Sequence, residues 1–550
     1  MCASKVSQWD IVVAGAGHNS LICAAYLARA GLRVLVLERG AMIGGDTSTE
    51  ELTLPGFKHD ACASAHVLIQ SSPILRDNEL ALDRYGLRYL FPDPAVVMPF
   101  RDGRSLSMFR DRHATAREIA RFSEHDALAY EQMLDDWDTI KVPLGRDRYR
   151  PPGSPSSALA ALEATPPGLE AVRWRFSSAL ETVEERFHEQ HVRTFFLWMS
   201  LMTMAWIDEP GTGLLPLSLA AGRQAFSWTT PVGGSIALPE ALARVIQECG
   251  GEIRTDSEVK RIIIEGGRAV GVVTADGAEY RAARAVVSTI HIKHLPGIVG
   301  AKALGEKFVR GLEHWRTGVT MFVSHYALNA APLYRLEQGP TASVAAGIIE
   351  SPEELLAALA AFRRGQTRLE SPPLLVVSSS VVDPSRAPPG HHTLKVVGFL
   401  PYHLTDGGSA RWDTIKENVS DALLDHHLRY TTNLSRKNIL AKHVESPLDL
   451  ERRNPHNYHG SCHGGDQDLA QEGSLRPTPG FGNYRLPVNG LYQTGSTTHP
   501  GASVTGAPGR NCAEVILSDL GLSLDRAIAA GRRAVTQSPP QLRQHSHESD

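Results

Sequence analysis

The chain has little that would tie it to an oxidising compartment, a bilayer or a nucleic acid. Its six cysteines (Cys2, Cys23, Cys62, Cys249, Cys462, Cys512) are scattered, and no C-x-x-C pair occurs. A disulfide framework is therefore not expected, and a reducing cytoplasm is the expected location. No apolar run is long enough to span a membrane; the most apolar window outside strand-like stretches, FFLWMSLMTMAW at residues 195–206, falls well short. Charge of one sign is also missing. The 56 basic and 60 acidic residues leave a net charge of -4, which argues against nucleic acid as the main partner. The opening MCASKVSQWD lacks the apolar core of a secretory signal, so none is expected. No charge run or internal repeat stands out.

What is present is a globular composition, 42% apolar and 21% charged, in 550 residues. That length exceeds one ordinary core and implies two or more domains. The organising stretch is residues 9–45, WDIVVAGAGHNSLICAAYLARAGLRVLVLERGAMIGG. An apolar run at 11–14 reads as a buried strand, residues 18–30 as a helix stopped by Gly31, and 33–37 as a second strand ending on Glu38. Between the first strand and the helix lies a glycine turn. Gly15 permits the bend, and Gly17 lets backbone approach a pyrophosphate placed on the helix N-terminus. Glu38 stands where an acid accepts hydrogen bonds from an adenosine ribose. In G-x-G-x-x-G the third glycine, which serves helix–strand packing, is Ser20 here; a small shift is expected rather than loss of binding.

Further along, Gly44-Gly45 form a second glycine loop, and residues 46–70 are polar enough to lie along a ligand. Turn signals at Asp93-Pro94 and Asp102-Gly103 mark a β-rich section. Residues 114–137 and 169–206 read as helical, and 146–167, rich in Pro, Ser and Arg, as an exposed loop. The window 195–206 is either a buried helix or the wall of a lipophilic channel or membrane-dipping face. From Thr229 the pattern becomes glycine loop, helix, glycine stop and strand. Strands at 259–264, 269–274 and 285–289 follow, with Gly266-Gly267 and Asp276-Gly277 between them as hairpin turns. Residues 300–450 read as an α+β region. A third glycine block, GSTTHPGASVTGAPG at 495–509, opens into a helix ending near Leu520, and residues 537–550 read as a disordered tail.

Three blocks thus share one logic of strand, glycine loop and helix. The first suits an ADP moiety. The third places a second helix N-terminus where negative charge on a reduced flavin would be stabilised. An acidic Glu38 favours FAD or NAD over NADP. The Gly44-Gly45 loop favours FAD, and no second G-x-G-x-x-G is present for a nicotinamide cofactor. Among the remaining candidates, His456, His459 and His463 sit among Pro455, Gly460, Gly464 and Gly465, which speaks against a regular ligand cluster, and no metal is expected. His499, before Pro500-Gly501, reads equally as a turn residue or a catalytic one. Cys23 and Cys512 read as packed helix residues.

Residues 10–45 and the C-terminal GLYQTGSTTHPGASVTGAPGRNCAEVIL resemble the two flavin motifs of the phytoene desaturase and FAD-dependent amine oxidase superfamily. Through RYGLRYLFPDP, PVGGSIALPEAL and DPSRAPPGHHTL the likeness extends along nearly the whole chain. It is similar above all to the branch of desaturase-type carotenoid ketolases and pyridine nucleotide-disulfide oxidoreductase domain-containing protein 2. The resemblance implies an α/β plus α+β fold: a Rossmann-type, glutathione reductase-2-like FAD-binding domain from residues 1–80, 229–300 and 481–530, and an inserted substrate-binding domain from 81–228 and 301–480. It implies backbone contacts to the pyrophosphate around Gly15, Ala16, Gly17, His18 and Asn19, and ribose contact at Glu38. Arg39, Gly44 and Gly45 would line the diphosphate and flavin, Val259 would meet the adenine, and Gly495, Ser503 and Val504 would face the isoalloxazine. Ser496 stands where some members carry an acid. His459 falls where the branch often has a histidine near the active face; a substrate-facing role and ordinary loop packing both remain open.

The implied reaction is dehydrogenation or oxidation of a lipophilic, isoprenoid- or carotenoid-like substrate with hydride passing to flavin N5, reoxidation by oxygen or a quinone-type acceptor, and substrate loading from a membrane face as a peripheral contact. The alternatives are an FAD-dependent oxidase or dehydrogenase of a smaller alicyclic ketone or amine, and a non-catalytic escort protein of the kind that binds prenylated partners. The escort proteins lack an intact flavin motif, which this chain retains.

Overall fold

In a computed structural model, residues 9–145 and 148–536 are described; the tail at 537–550 lies outside them. The first unit is built on strand β1 (Trp9–Ala14), helix α1 (His18–Arg29) and strand β2 (Val34–Leu37). Helix α2 (Ala237–Glu248) leads to β3 (Glu252–Arg254), then the meander β4 (Val259–Glu265), β5 (Arg268–Thr274) and β6 (Glu279–Ser288). Near the C-terminus come β7 (Leu491–Gln493) and α3 (Ala507–Asp519). The sheet order is β4-β5-β6-β1-β2-β3, with β7 on β6. β1 pairs in parallel with β2 and β6, and β6 in parallel with β7, while β4, β5 and the start of β6 are antiparallel. The chain's far end therefore completes the sheet begun at Trp9.

Alternation explains why β1 is apolar from Ile11 to Ala14. Ile11 and Val13 point into the core beneath α1, α2 and α3, whereas Val12 and Ala14 point into the core on the opposite face. A parallel strand buried on both faces has no polar side to show. The third meander strand begins at Glu279, earlier than its apolar run, because its first half is a solvent-facing antiparallel edge with alternating exposure.

The second unit is a seven-stranded sheet. Its order is Ile439–Glu445, Met321–Leu328, His392–Phe399, Leu374–Val377, Ala345–Ile348, Val96–Pro99 and Ser105–Met108, antiparallel except where Val97 meets Ala346. One face packs on a helical layer that includes Gln190–Leu201; the other packs on Trp412–Leu428.

Three expectations need correction. The stretch at 146–167 is not simply a loop: Pro155–Glu163 is a helix and Pro166 starts another, because proline at the first helical position supplies a favourable φ and leaves no required N–H unmet. The window 195–206 is not a membrane-dipping face, since Phe195, Phe196, Leu197 and Trp198 are buried against the second sheet. Among the described residues no helix is long and apolar enough to cross a membrane. The boundary drawn after residue 300 also moves. Leu304, Phe308, Leu312 and Trp315 pack under the first sheet, as do Leu82, Tyr85 and Leu87 on its helical face.

Candidate active site

A cavity of about 830 Å³ runs from the carboxyl ends of β1 and β2 to the face of the second sheet. Ligands in open α/β sheets sit at such strand ends. At this end the wall is main chain. Gly15 has φ +101, and a Cβ there would stand 2.2 Å from Thr289 Oγ1. A Cβ on Gly17 would meet no protein atom within 4 Å, so the backbone is bare toward the cavity. Gly17 caps α1, with no side-chain cap bond and no acid in the first turn. The helix N-terminus is thus free to receive an anion.

Ser20, the departure from the glycine pattern, fits without a gap. Its buried hydroxyl donates to the Gly17 carbonyl at 2.9 Å, within the first turn. The tight packing left to a third glycine is supplied from another helix: a Cβ on Gly509 of α3 would lie 2.2 Å from the Asn19 carbonyl oxygen.

Glu38 clasps the turn. Its carboxylate accepts from the Ala16 N–H at 2.7 Å and the Gly40 N–H at 2.9 Å. The Ala16 amide is therefore directed at Glu38, and Ala16, unlike Gly15, Gly17, His18 and Asn19, is not part of the cavity wall. Gly44, with φ +110, donates its N–H to the Ala16 carbonyl at 2.8 Å, so the second glycine loop closes on the first. Arg39, at the rim, donates to the Arg453 carbonyl at 2.7 Å. Val259 lines the wall beside Glu38, and Gly45, Gly495, Ser503 and Val504 line it toward the middle.

His18 joins the first and third blocks through a hydrogen bond to the Ser503 backbone; burial holds its pKa down at about 4, with Nε2 left unpartnered. Ser496 is held by His456. The Thr289 carbonyl, 2.8 Å from His456 Nδ1, can only accept, so Nδ1 carries the proton and Nε2 accepts from the Ser496 hydroxyl at 2.6 Å. Burial, with His294 and Arg476 nearby, keeps this imidazole neutral, its pKa at about 4. Arg476 fixes the same loop from behind, donating to the Ser496 carbonyl at 2.7 and 2.9 Å.

Toward the second sheet the wall becomes side chain. Met199, Met202, Met204, Met321, Leu375 and Phe399 line an apolar chamber, joined by Cys62, Cys462, Lys395 and Arg223. Lys395 is buried and donates to the carbonyls of Asp60 (3.2 Å) and Cys62 and to Ser64 Oγ (3.2 Å), tying its strand to the 60–64 loop; burial lowers its pKa. Asp46 is half-buried beside Asn454 and Asn457, which donate to it at 3.0 and 3.1 Å, yet its desolvation still raises its pKa.

Two candidates fall elsewhere. His459 lies outside the cavity, with φ +52, stacked between Tyr402 and Tyr458 at 4.9 and 4.0 Å. It packs a loop and does not reach a substrate in the chamber. His499 is buried behind the wall, its carbonyl accepting from the Tyr484 hydroxyl at 2.6 Å across the turn to Pro500. Lys395, Thr289 and Arg223 line the cavity without having been singled out, as do His456 and His463, which were weighed only as metal ligands, and Asp46, which opens the 46–70 stretch expected along a ligand. Of the first three only Lys395 left a local trace, a lysine inside the apolar strand HTLKVVGF. A separate cluster of His125, Asp126 and His188 has ligand atoms within 4.8 Å of one another, but its histidine rings stack in parallel and Asp126 accepts from the His188 and Glu189 backbone.

A glycine-lined groove at a βαβ switch, with a bare helix N-terminus and an acid at the ribose position, fits an adenine dinucleotide. Its continuation into a largely apolar chamber suits a dinucleotide-dependent oxidoreductase. The family model of flavin containing amine oxidoreductases matches residues 21–517, and the chain belongs to that family. Its cofactor is FAD. A limonene dehydrogenase chain from Castellaniella defragrans is 28% identical over 97% of this chain and 100% of its own length. Pyridine nucleotide-disulfide oxidoreductase domain-containing protein 2 of Mus musculus is 30% identical over 93% and 94%. Cyclohexylamine oxidase from Brevibacterium oxydans shares the fold at 16% identity, with a TM-score of 0.51 over 93% of this chain and 99% of that one.

Proposed function

We propose that the protein dehydrogenates an apolar, isoprenoid- or carotenoid-like substrate held in the methionine-lined chamber. The carrying observation is that this chamber is continuous with the glycine-lined groove. When bound, FAD supplies the hydride acceptor, N5. The backbone at Gly15, Gly17, His18 and Asn19 holds the pyrophosphate. Glu38 takes the ribose and Val259 the adenine; Arg39, Gly44 and Gly45 hold the diphosphate and flavin edge; Gly495, Ser503 and Val504 meet the ring. Ser496, its hydroxyl hydrogen donated to neutral His456, offers oxygen lone pairs to the ribityl side. The methionines shape themselves to an irregular apolar body and exclude water. Residues gathered round the first sheet act as the FAD-binding domain and those round the second as the substrate domain.

A limonene-acting relative agrees with an apolar substrate. Among the wall residues at 199–228, 321 and 375–399 the charged side chains are Arg223 and Lys395, with no carboxylate; that charge opposes a protonated amine. Reoxidation falls to oxygen or a quinone-type acceptor, as the sequence has one dinucleotide fingerprint. A cytoplasmic location with substrate drawn from a membrane face completes the reading. The test is anaerobic mixing of the holoprotein with limonene, phytoene, cyclohexylamine or NADH while the flavin band is followed. Bleaching by the hydrocarbons is expected; bleaching by the amine or NADH alone overturns the proposal.

A further inference from the structure

Among the described residues, no carboxylate pairs with one of the two cations of the chamber. Arg223 lies on helix Leu215–Phe226, where Ser218, Leu219, Gly222 and Arg223 line the cavity along one helical face. The guanidinium stacks 4.2 Å from the Trp228 ring and donates through Nη1 to the Ser227 carbonyl at 3.4 Å. Among the described residues no salt bridge reaches Arg223, and burial lowers its pKa only to about 10, so it stays a cation at neutral pH.

Other arginines in and around the core are treated differently. Arg386 pairs with Asp60 at 2.9 Å, Arg510 with Glu79 at 2.8 Å, and Arg453 with Glu445 and Glu50. Arg476 donates to the carbonyls of Ser496, Asp466 and Gln471. Lys395, the second cation of the chamber, has an acceptor for each of its three ammonium hydrogens. Arg223 alone of this group keeps most of its five-donor fork unused, half-buried on the wall of the chamber. Beside it, Gly222 leaves open space; a Cβ there would meet only Val67, at 3.8 Å.

We propose that the chamber's ligand is an apolar molecule ending in a carboxylate, and that Arg223 binds that carboxylate. The planar fork matches the two oxygens of a carboxylate and pairs with them bidentately. One guanidinium balances one negative charge, which favours a carboxylate over a diphosphate. Trp228 and the methionines receive the apolar body. This rests on the chamber being the substrate site, as proposed above, and adds an acidic end group to the isoprenoid body.

The test is titration of the holoprotein with geranic acid, methyl geranate and geranyl diphosphate, read as perturbation of the flavin band. The wild type is expected to bind the acid at least about tenfold more tightly than the ester. Arg223→Met should bring the two affinities to within about twofold of each other, and Arg223→Lys, which keeps the charge but loses the fork, should leave a preference of about threefold. Should the methionine variant fail to hold FAD, the lysine variant decides, and an undiminished preference in it counts against the fork. The inference is overturned if acid and ester bind the wild type equally, if the preference survives in Arg223→Met, or if the diphosphate binds more tightly than the acid. Equal binding of acid and ester leaves the apolar chamber standing and removes only the carboxylate; failure of all three probes to perturb the flavin removes both.

Discussion

The two ends of the cavity are built from different material. At the cofactor end the wall is main chain, set by Gly15, Gly17, Gly44 and Gly495 and clasped by Glu38. At the chamber end it is side chain, set by methionines, Arg223 and Lys395 on strands and helices of the second sheet. A main-chain wall tolerates almost no added atoms, because backbone cannot rotate aside; a wall of flexible thioethers can rearrange. Cofactor retention and substrate choice are therefore separable.

The sharpest break in this comparison is Gly15→Val. Its Cβ would clash with Thr289 Oγ1 at 2.2 Å in a backbone conformation that valine resists. Flavin retention, measured as the ratio of flavin to protein absorbance after gel filtration, should fall by roughly 100-fold; full occupancy would show that the turn does not carry the pyrophosphate. Acid comes next. Burial holds His18, His456 and His463 down at about 4, below the ordinary 6.5 of the unfolded chain. Between those values the unfolded state takes up more protons. Stability is thus complete above pH 6.5 and declines as pH falls toward 4, by several kcal/mol in all (roughly). The urea midpoint should drop between pH 7 and 5, and a flat profile would contradict these neutral imidazoles.

Gly509→Ala tests the support behind the cradle. A methyl 2.2 Å from the Asn19 carbonyl must push α3 from α1, at a cost of about 1–3 kcal/mol of stability. Thermal melting would register it, and an unshifted transition would mean the helices have slack. Glu38→Ala should weaken FAD binding about tenfold, since it removes both the ribose acceptor and the clasp on Ala16 and Gly40; apoprotein titration measures this, and unchanged affinity would place the ribose elsewhere. The smallest effect is expected at the other end, where Met204→Ala combined with Met321→Ala should raise the KM for an apolar substrate severalfold.

The same contrast explains what could be read from the sequence. Glycine turns, a strand that ends on an acid and a helix that starts bare are consecutive along the chain, so the glycine-lined groove was legible, although the closing of Gly44 on Ala16 was not. Ser20 was legible as a departure but not in its remedy, because Gly509 lies almost 500 residues away (roughly) and acts through packing. The chamber was legible only in part: the window 195–206, read as either a buried helix or a channel wall, supplies Met199, Met202 and Met204. Met199, Arg223, Met321, Lys395 and Cys462 converge only when strands and helices of the second sheet are assembled, and no spacing announces that. His459 could not be decided from the sequence for the complementary reason: a motif gives a position along the chain, whereas the left-handed turn at that residue sends its ring between two tyrosines and away from the cavity.

The most direct measurement of separability is anaerobic reduction of bound flavin by an apolar substrate in the Met204→Ala, Met321→Ala protein, with flavin content determined on the same sample. The account predicts one FAD per chain, as in the wild type, with bleaching that requires severalfold more substrate. Flavin content falling in step with reduction would contradict it, for the chamber and the cradle would then be one site.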